Sequence, residues 1–256
     1  SILEQKNISH ILTLIQSAIQ KQEQIIRTTT ELKNALMQKL FTEGTKGEAQ
    51  KQTEIGLIPE SWEVVRIGEK CVIKTNTISF SEIDKIKTKA DSKNIKVLAV
   101  KVSDMNLLGN EVYLSKSNIE FQIETNSKNL LKCVKPNSII FPKRGAAIAT
   151  NKKRFTKEYS ILDPNLIALE PNREFDAEYL YLYFLIFDLK KLTDHGTIPQ
   201  LNKKDLDPLL VPKPSLDEQI EIRETIKVLF KKIQHHQIKK QTLTALFRSM
   251  LHQLMT

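Results

Sequence analysis

Ser1-Ile2-Leu3-Glu4-Gln5-Lys6-Asn7-Ile8 opens the chain, and Ser215-Leu216-Asp217-Glu218-Gln219-Ile220-Glu221-Ile222 opens its last stretch. Shifted by 214 positions, the first run lies on the second without a gap. The match continues: Ile19, Gln20, Thr28, Thr30, Leu32, Leu40 and Thr42 meet the same residue types at Ile233, Gln234, Thr242, Thr244, Leu246, Leu254 and Thr256. Any two amphipathic helices look somewhat alike, but the absence of gaps and the matched ends favour an internal repeat. In the first copy Ile8, Leu12, Ile15, Ile19, Ile26, Leu32, Leu36 and Leu40 recur at helical spacing, with no Gly or Pro before Gly44 to stop the helix. In the second, Ile222, Ile226, Leu229, Ile233, Leu243, Leu246, Met250 and Leu254 do the same, after a capping signal of Ser215 with Glu218 three residues on. One helix ends where the central region begins and the other starts where it ends, so if they pack they run antiparallel. At 1.5 Å per residue each is a rod of roughly 60 Å. Two apolar seams of that length predict a coiled coil projecting from a globular body.

Between the helices the texture changes. Short β-like runs, Trp62–Ile67, Lys96–Val102, Ser138–Phe141 and Asn165–Leu169, are separated by turn residues. One helix is predicted from Ala177 to Leu192; its stripe of Leu180, Tyr183, Phe184, Phe187 and Leu192 reads as core rather than as a base-stacking platform. The fold class expected is α+β: a mixed α/β central domain plus a long antiparallel two-helix coiled coil. The division expected is a helix over 1–43, a polar linker or exposed strap over 44–55, the central domain over 56–214 and the second helix over 215–256.

The 256 residues carry 39 Lys and Arg against 30 Asp and Glu, a net charge of +9. That suits a polyanionic partner, and the distribution says more than the sum. From Thr125 to Lys157 lie Lys128, Lys132, Lys135, Lys143, Arg144, Lys152, Lys153, Arg154 and Lys157, with no acid among them. The stretch from Thr225 onward is also basic and acid-free. Each can carry a field of one sign. No apolar run approaches the ~18 residues of a membrane span, so no membrane role is expected. Cys71 and Cys133 have no nearby Cys or His at metal spacing and read as reduced thiols of a cytoplasmic protein. The chain begins with Ser1 rather than Met, which leaves processing or excision from a longer chain open.

Catalytic signatures are missing. Seven scattered glycines make neither a phosphate loop nor a dinucleotide fingerprint. Asp163-Pro164-Asn165 has part of an amino-methyltransferase motif but lacks its second Pro and its aromatic residue. No nuclease cluster and no nucleophile–base signature is found. No catalytic residue, metal or cofactor is therefore expected.

Several segments resemble one family, the specificity subunits of type I restriction–modification enzymes. Thr53-Glu54-Ile55-Gly56-Leu57-Ile58-Pro59-Glu60-Ser61-Trp62-Glu63-Val64 is similar to the entry into a target-recognition domain. Gly196-Thr197-Ile198-Pro199-Gln200-Leu201-Asn202-Lys203-Lys204-Asp205-Leu206, followed by Val211-Pro212-Lys213-Pro214-Ser215-Leu216-Asp217-Glu218-Gln219, resembles the exit into a conserved helix. Leu36-Met37-Gln38-Lys39-Leu40-Phe41-Thr42-Glu43-Gly44 is similar to the family's helix terminus. The resemblance implies a non-catalytic subunit that recognises DNA, reads half of a split target, docks methyltransferase subunits and meets motor–nuclease subunits through the complex. The family's usual order is domain, helix, domain, helix. Helix, one domain, helix implies the carboxy-terminal half of a longer subunit or a natural half-length one, and a homodimer could then imitate the whole.

Two segments are candidates for DNA contact. In Phe141–Arg154, Pro142 sets up a turn presenting Lys143 and Arg144, Gly145 permits close approach, Asn151 suits a base edge, and Lys152, Lys153 and Arg154 suit phosphates. In Gly196–Lys204, Gln200 and Asn202 suit adenine edges and Lys203 and Lys204 phosphates, though this segment also fits a plain junction between domain and helix. The basic last helix leaves three readings open: cover over DNA, a dock for an acidic partner face, or solvated charge. Two other functions stay in view, a coiled-coil scaffold whose central domain binds protein and a nuclease whose site assembles only in space.

Overall fold

The computed structural model describes residues 2–75, 77–89, 91, 93–193 and 199–255. In chain order the helices are α1 (Ile2–Glu43), α2 (Ile67–Lys70), α3 (Ile83–Ile86), α4 (Ala146–Ala149), α5 (Ala177–Ile186), α6 (Lys203–Leu206) and α7 (Leu216–Met255). The strands are β1 (Gln50–Thr53), β2 (Gly56–Pro59), β3 (Glu63–Arg66), β4 (Cys71–Lys74), β5 (Ile95–Val100), β6 (Tyr113–Leu114), β7 (Ile119–Ile123), β8 (Ile139–Pro142), β9 (Arg154–Thr156), β10 (Tyr159–Leu162), β11 (Leu166–Pro171) and β12 (Leu210–Lys213). The chain divides into two compact units, Ser1–Leu40 with Glu221–Thr256 and Phe41–Ile220.

The first unit is a pair of helical segments. On α1, Ile8, Leu12, Ile15, Ile19, Gln22, Ile26, Thr29, Lys33 and Leu36 are withdrawn from solvent, at spacings that alternate between four and three. On α7, Ile222, Ile226, Leu229, Ile233, His236, Lys240, Leu243, Phe247 and Met250 follow the same rule. A strict seven-residue period keeps one seam facing a partner helix along its whole length. Gln22 Oε1 lies 2.7 Å from His236 Nδ1, Lys240 pairs with Glu23 at 2.8 Å, and the Lys33 ammonium sits 4.6 Å from the centre of the Phe230 ring. Further along α1 than the Gln22 and Glu23 contacts, at Lys33, the partner number has fallen from 236 and 240 to 230, so the pair is antiparallel. Gln22 and His236 are also separated by the repeat offset, 214. That hydrogen bond joins a residue to its own counterpart and marks the local two-fold axis of the repeat.

The second unit is built on sheets. Its five-stranded sheet has the order β4-β11-β8-β9-β6 and its three-stranded sheet the order β10-β5-β7; β1 pairs with β2, and β3 with β12. Within β5, Val97 and Ala99 join a core with Phe121, Ile123, Cys133 and Ile161, while Leu98 and Val100 join another with Met105, Leu114, Ile140, Leu162 and Ala168. Successive side chains of a strand point to opposite faces, so a strand buried on both reads as a continuous apolar run. This explains the run in Lys96–Val102. Helix α5 contributes Phe184 against Phe141 (centroids 5.1 Å apart) and Tyr181 against Phe155 (5.5 Å). Its aromatic stripe belongs to the core.

Two expectations change. The helix predicted to Leu192 ends at Ile186: Phe187 is extended (φ −76°, ψ 133°), and the Asp188 side chain accepts from Lys190 N–H to start a separate 3-10 turn over Leu189–Leu192. Apolar spacing carried across that break because both pieces bury residues. The polar stretch 44–55 is not only a strap, since β1 pairs in register with β2 as a hairpin.

Candidate nucleic-acid interface

Strand β8 ends at Pro142, and Lys143 leaves it donating its N–H to the Asn165 carbonyl at 2.6 Å. The Lys143 carbonyl accepts from Leu201 N–H and the Pro199 carbonyl from Gly145 N–H, both at 2.9 Å. Between these bonds, Arg144 and Gln200 form an isolated antiparallel bridge. The two candidate segments are thus stitched backbone to backbone. The turn needs its glycine: Gly145 has φ +66° and ψ −153°, a region essentially closed to residues with a Cβ. Arg144 is exposed and Lys143 half-buried. On the other segment Asn202 N–H donates to Asp205 Oδ2 at 2.7 Å, which fixes the start of α6 and leaves Lys203 and Lys204 exposed on its first turn. Lys143, Arg144, Lys203 and Lys204 enter no ion pair among the described residues. Gln200 is half-buried beside Arg144. Gly196, Thr197 and Ile198, part of the family-like exit segment, lie outside the described residues.

At the far end of the first segment the side chains bond within the fold. Lys153 is only 1% exposed, and its ammonium donates to the Phe187 carbonyl at 2.6 Å. That carbonyl follows the end of α5, where a cation complements the helix dipole. Burial pulls the Lys153 ammonium down to about 8. Arg154 gives Nε and Nη2 to the Met105 carbonyl at 3.1 and 2.7 Å and Nη1 to the Lys153 carbonyl at 2.8 Å; its pKa is lowered, chiefly by burial. Asn151, at φ +52°, donates Nδ2 to the Phe187 carbonyl at 3.2 Å and accepts from Leu189 N–H at 3.0 Å. These three side chains hold the fold, and their polar atoms are occupied. Lys152 stays half-exposed, its ammonium shared with the Asn106 side-chain oxygen. Residue type cannot separate a phosphate-binding cation from one satisfying a buried carbonyl, because the acceptors at Met105 and Phe187 are distant in sequence.

Elsewhere, Lys231, Lys232 and Lys239 are exposed on α7. Cys71 and Cys133 are buried, which pushes their thiols up to about 12 and 11 and makes them poor nucleophiles. The Asp163 carboxylate accepts from the Asn165 backbone and side chain, both at 2.7 Å, closing a turn. Among the described residues no group of three His, Cys, Asp or Glu could hold a metal, and no helix is long and apolar enough to cross a membrane.

Comparison with known proteins adds to this geometry. Residues 59–245 match the family model described as the type I restriction modification DNA specificity domain. The chain is 25% identical over 257 aligned residues to a putative type I restriction enzyme MjaX specificity subunit of Methanocaldococcus jannaschii, covering 99% of this chain and 56% of that one. A second protein of that organism, the type I restriction enzyme MjaVIII specificity subunit, is 40% identical over 67 residues, 26% of this chain and 16% of the relative. Among solved structures, the HsdS subunit from Thermoanaerobacter tengcongensis superposes with a TM-score of 0.61 at 16% identity, over 96% of this chain and 55% of its own. A type I S subunit from M. genitalium gives 0.58 at 17%, over 97% and 59%. At such identity these two speak to the fold alone. The chain spans about half the length of the fuller of these curated relatives.

Proposed function

The chain belongs to the family of type I restriction–modification DNA specificity domains, and from that premise we propose that it reads one half of a bipartite DNA target as a non-catalytic specificity subunit. The observation that carries the reading is the stitched pair of loops, which ties the backbone at Lys143 and Arg144 to that at Gln200 and Leu201, just before Lys203 and Lys204, with no ion pair to these four cations among the described residues. Phosphate contact supplies most of the affinity of such an interface, and cations already committed elsewhere could not supply it. Arg144 and Gln200, neighbours in the bridge, are the side chains proposed to face base edges. The region 56–214 is proposed as the recognition domain, and the helices over 1–43 and 215–256 as the part that docks methyltransferase subunits, with motor–nuclease subunits joining through the complex.

The location that goes with this role is the cytoplasm. A homodimer is the natural way for one recognition domain to read an interrupted palindrome, because protein two-fold symmetry is mirrored in the site. Methylome sequencing of cells carrying the whole system, with and without this gene, tests the proposal. A bipartite methylation motif should vanish on deletion; a methylome unchanged by deletion overturns it. Incubating the purified chain with DNA and magnesium should leave the DNA uncut.

A further inference from the structure

Leu108 is 85% exposed, and the loop that carries it is fixed from below. A solitary exposed leucine needs no explanation. This one is held in water by buried polar groups. Asn110, fully buried, donates Nδ2 to the Asp104 and Lys116 carbonyls, both at 2.8 Å, and accepts from Ser115 N–H at 3.0 Å and Lys116 N–H at 3.3 Å. Asp104, 1% exposed, accepts from Lys101 N–H at 2.8 Å and from Asn118 Nδ2 at 2.6 Å. Gly109 at φ +95° turns the chain directly after the leucine. A loop so anchored cannot fold Leu108 inward without leaving those groups unsatisfied.

Its surroundings are cationic, and one of the cations, Lys152, belongs to the Phe141–Arg154 segment. Lys152 reaches Asn106 on one arm of the turn, and on the other the Lys116 ammonium lies 3.7 Å from where a Cβ on Gly109 would stand. Arg154 ties the Met105 carbonyl to the start of β9. Of the acids here, Asp104 is buried in the loop's own hydrogen bonds, and Glu111 accepts from Gly109 N–H, with Arg154 and Lys116 nearby. An apolar tip between two ammonium groups suits a surface that is anionic outside and apolar within, which is duplex DNA: phosphates flank the groove and base faces lie between them.

We propose that Leu108 is an apolar wedge that enters the DNA between base pairs, with Lys152 and Lys116 on the flanking phosphates. This rests on the DNA-recognition reading and adds indirect readout to it, since a wedge favours the base steps that unstack most readily.

The test uses this chain and a randomised duplex pool. Duplexes retained by the wild-type chain are sequenced, and the preferred one is remade with 2-aminopurine placed at each step in turn. Binding should brighten the probe at one step. Leu108→Ala should abolish that brightening and weaken binding about tenfold, with the salt slope unchanged because no charge is lost. Its melting temperature should match wild type, since the removed side chain is in solvent. Native affinity and native brightening in Leu108→Ala overturn the wedge and leave the recognition reading standing. Deoxyuridine in place of thymine that reproduces the whole loss, with no further loss in Leu108→Ala, overturns it in favour of a methyl contact in the groove. Retention of no duplex overturns both readings.

Discussion

The segment from Phe141 to Arg154 has two basic ends, and the fold treats them in opposite ways. At Lys143-Arg144 the backbone does the bonding: the main chain of Lys143 and Gly145 is tied to Asn165, Leu201 and Pro199, and the side-chain cations enter no ion pair among the described residues. At Lys153-Arg154 the side chains do the bonding, satisfying the carbonyls of Phe187, Met105 and Lys153. The same residue types are therefore proposed for an interface in one place and bond within the fold in the other. What decides is whether a neighbouring carbonyl lacks a donor. A buried carbonyl without a partner costs on the order of 1–3 kcal/mol, far more than a surface charge gains by staying in water.

The strongest way to break this contrast is Lys153→Ala. It empties a buried site and leaves the Phe187 carbonyl with only the longer bond from Asn151 Nδ2, so we expect a loss of about 2–4 kcal/mol in unfolding free energy, read by denaturant or thermal melts. The residual folded protein should keep its DNA salt slope. A stable Lys153→Ala with a flattened slope would return Lys153 to the interface. The pH dependence gives a second reading. Lys153 sits near 8 in the fold against 10.5 in the open chain, so between those values the unfolded state holds the extra proton. Stability contributed by this group therefore rises as pH climbs from about 8 to about 10.5, by up to about 3 kcal/mol, and is least below 8. Burial raises the tyrosines and cysteines of the core above that range, so their ionisation in the open chain opposes the rise, and the quantity to measure is the difference between wild type and Lys153→Met.

At the opposite end, replacing Lys143, Arg144, Lys203 and Lys204 together by Ala should leave stability within about 0.5 kcal/mol, because among the described residues these side chains make no hydrogen bond or ion pair. DNA binding should weaken, and the slope of log affinity against log salt should flatten by about three, close to one per phosphate lost. An unchanged slope in a folded quadruple variant would remove the rim from the DNA. Gly145→Ala is next in size. Its φ of +66° with ψ of −153° is strained for any residue with a Cβ, and nothing crowds the position, so the expected cost is the backbone penalty alone, about 1–2 kcal/mol. If the bridge between Arg144 and Gln200 positions the reading side chains, this variant should lose target preference more than overall affinity.

The contrast also marks where sequence stops being legible. The long helices are readable because each carries its own period, and the gapless offset of 214 is a property of the letters. Their polar seam positions, Gln22, Lys33, His236 and Lys240, are less so: they interrupt the apolar pattern, and only the partner helix shows that Glu23 and the Phe230 ring receive two of them. In the central unit β5 is visible as an apolar run. Its partners are not, since β10 beside it is parallel and β7 antiparallel, and neither register follows from composition. The candidate site divides in the same way. Lys143, Arg144, Lys203 and Lys204 could be named from local chemistry, whereas their convergence depends on backbone bonds across the unit. Asn151, Lys153 and Arg154 were named by the same local chemistry, and their bonds within the fold were not visible there, because most of their acceptors come from loops that only folding brings near.

Lys152 tests the boundary between the two kinds of cation, and its expected effect is the smallest. It follows Asn151 and precedes Lys153, both tied down, yet it is half-exposed, and its acceptor is an amide oxygen at the solvent-facing Asn106 rather than a buried carbonyl. Losing that bond leaves Asn106 free to turn to water, so Lys152→Ala should change stability by less than about 0.5 kcal/mol. If its ammonium also reaches a phosphate, the salt slope should fall by just under one; if it only steadies the Asn106 loop, the slope should hold while Asn106→Ala and Lys152→Ala shift the melting point equally and without additivity. A double-mutant cycle run alongside salt titration separates the two. A slope reduced in Lys152→Ala but not in Asn106→Ala would extend the DNA-facing rim to this side of the unit, and an unchanged slope in both would confine it to the stitched loops.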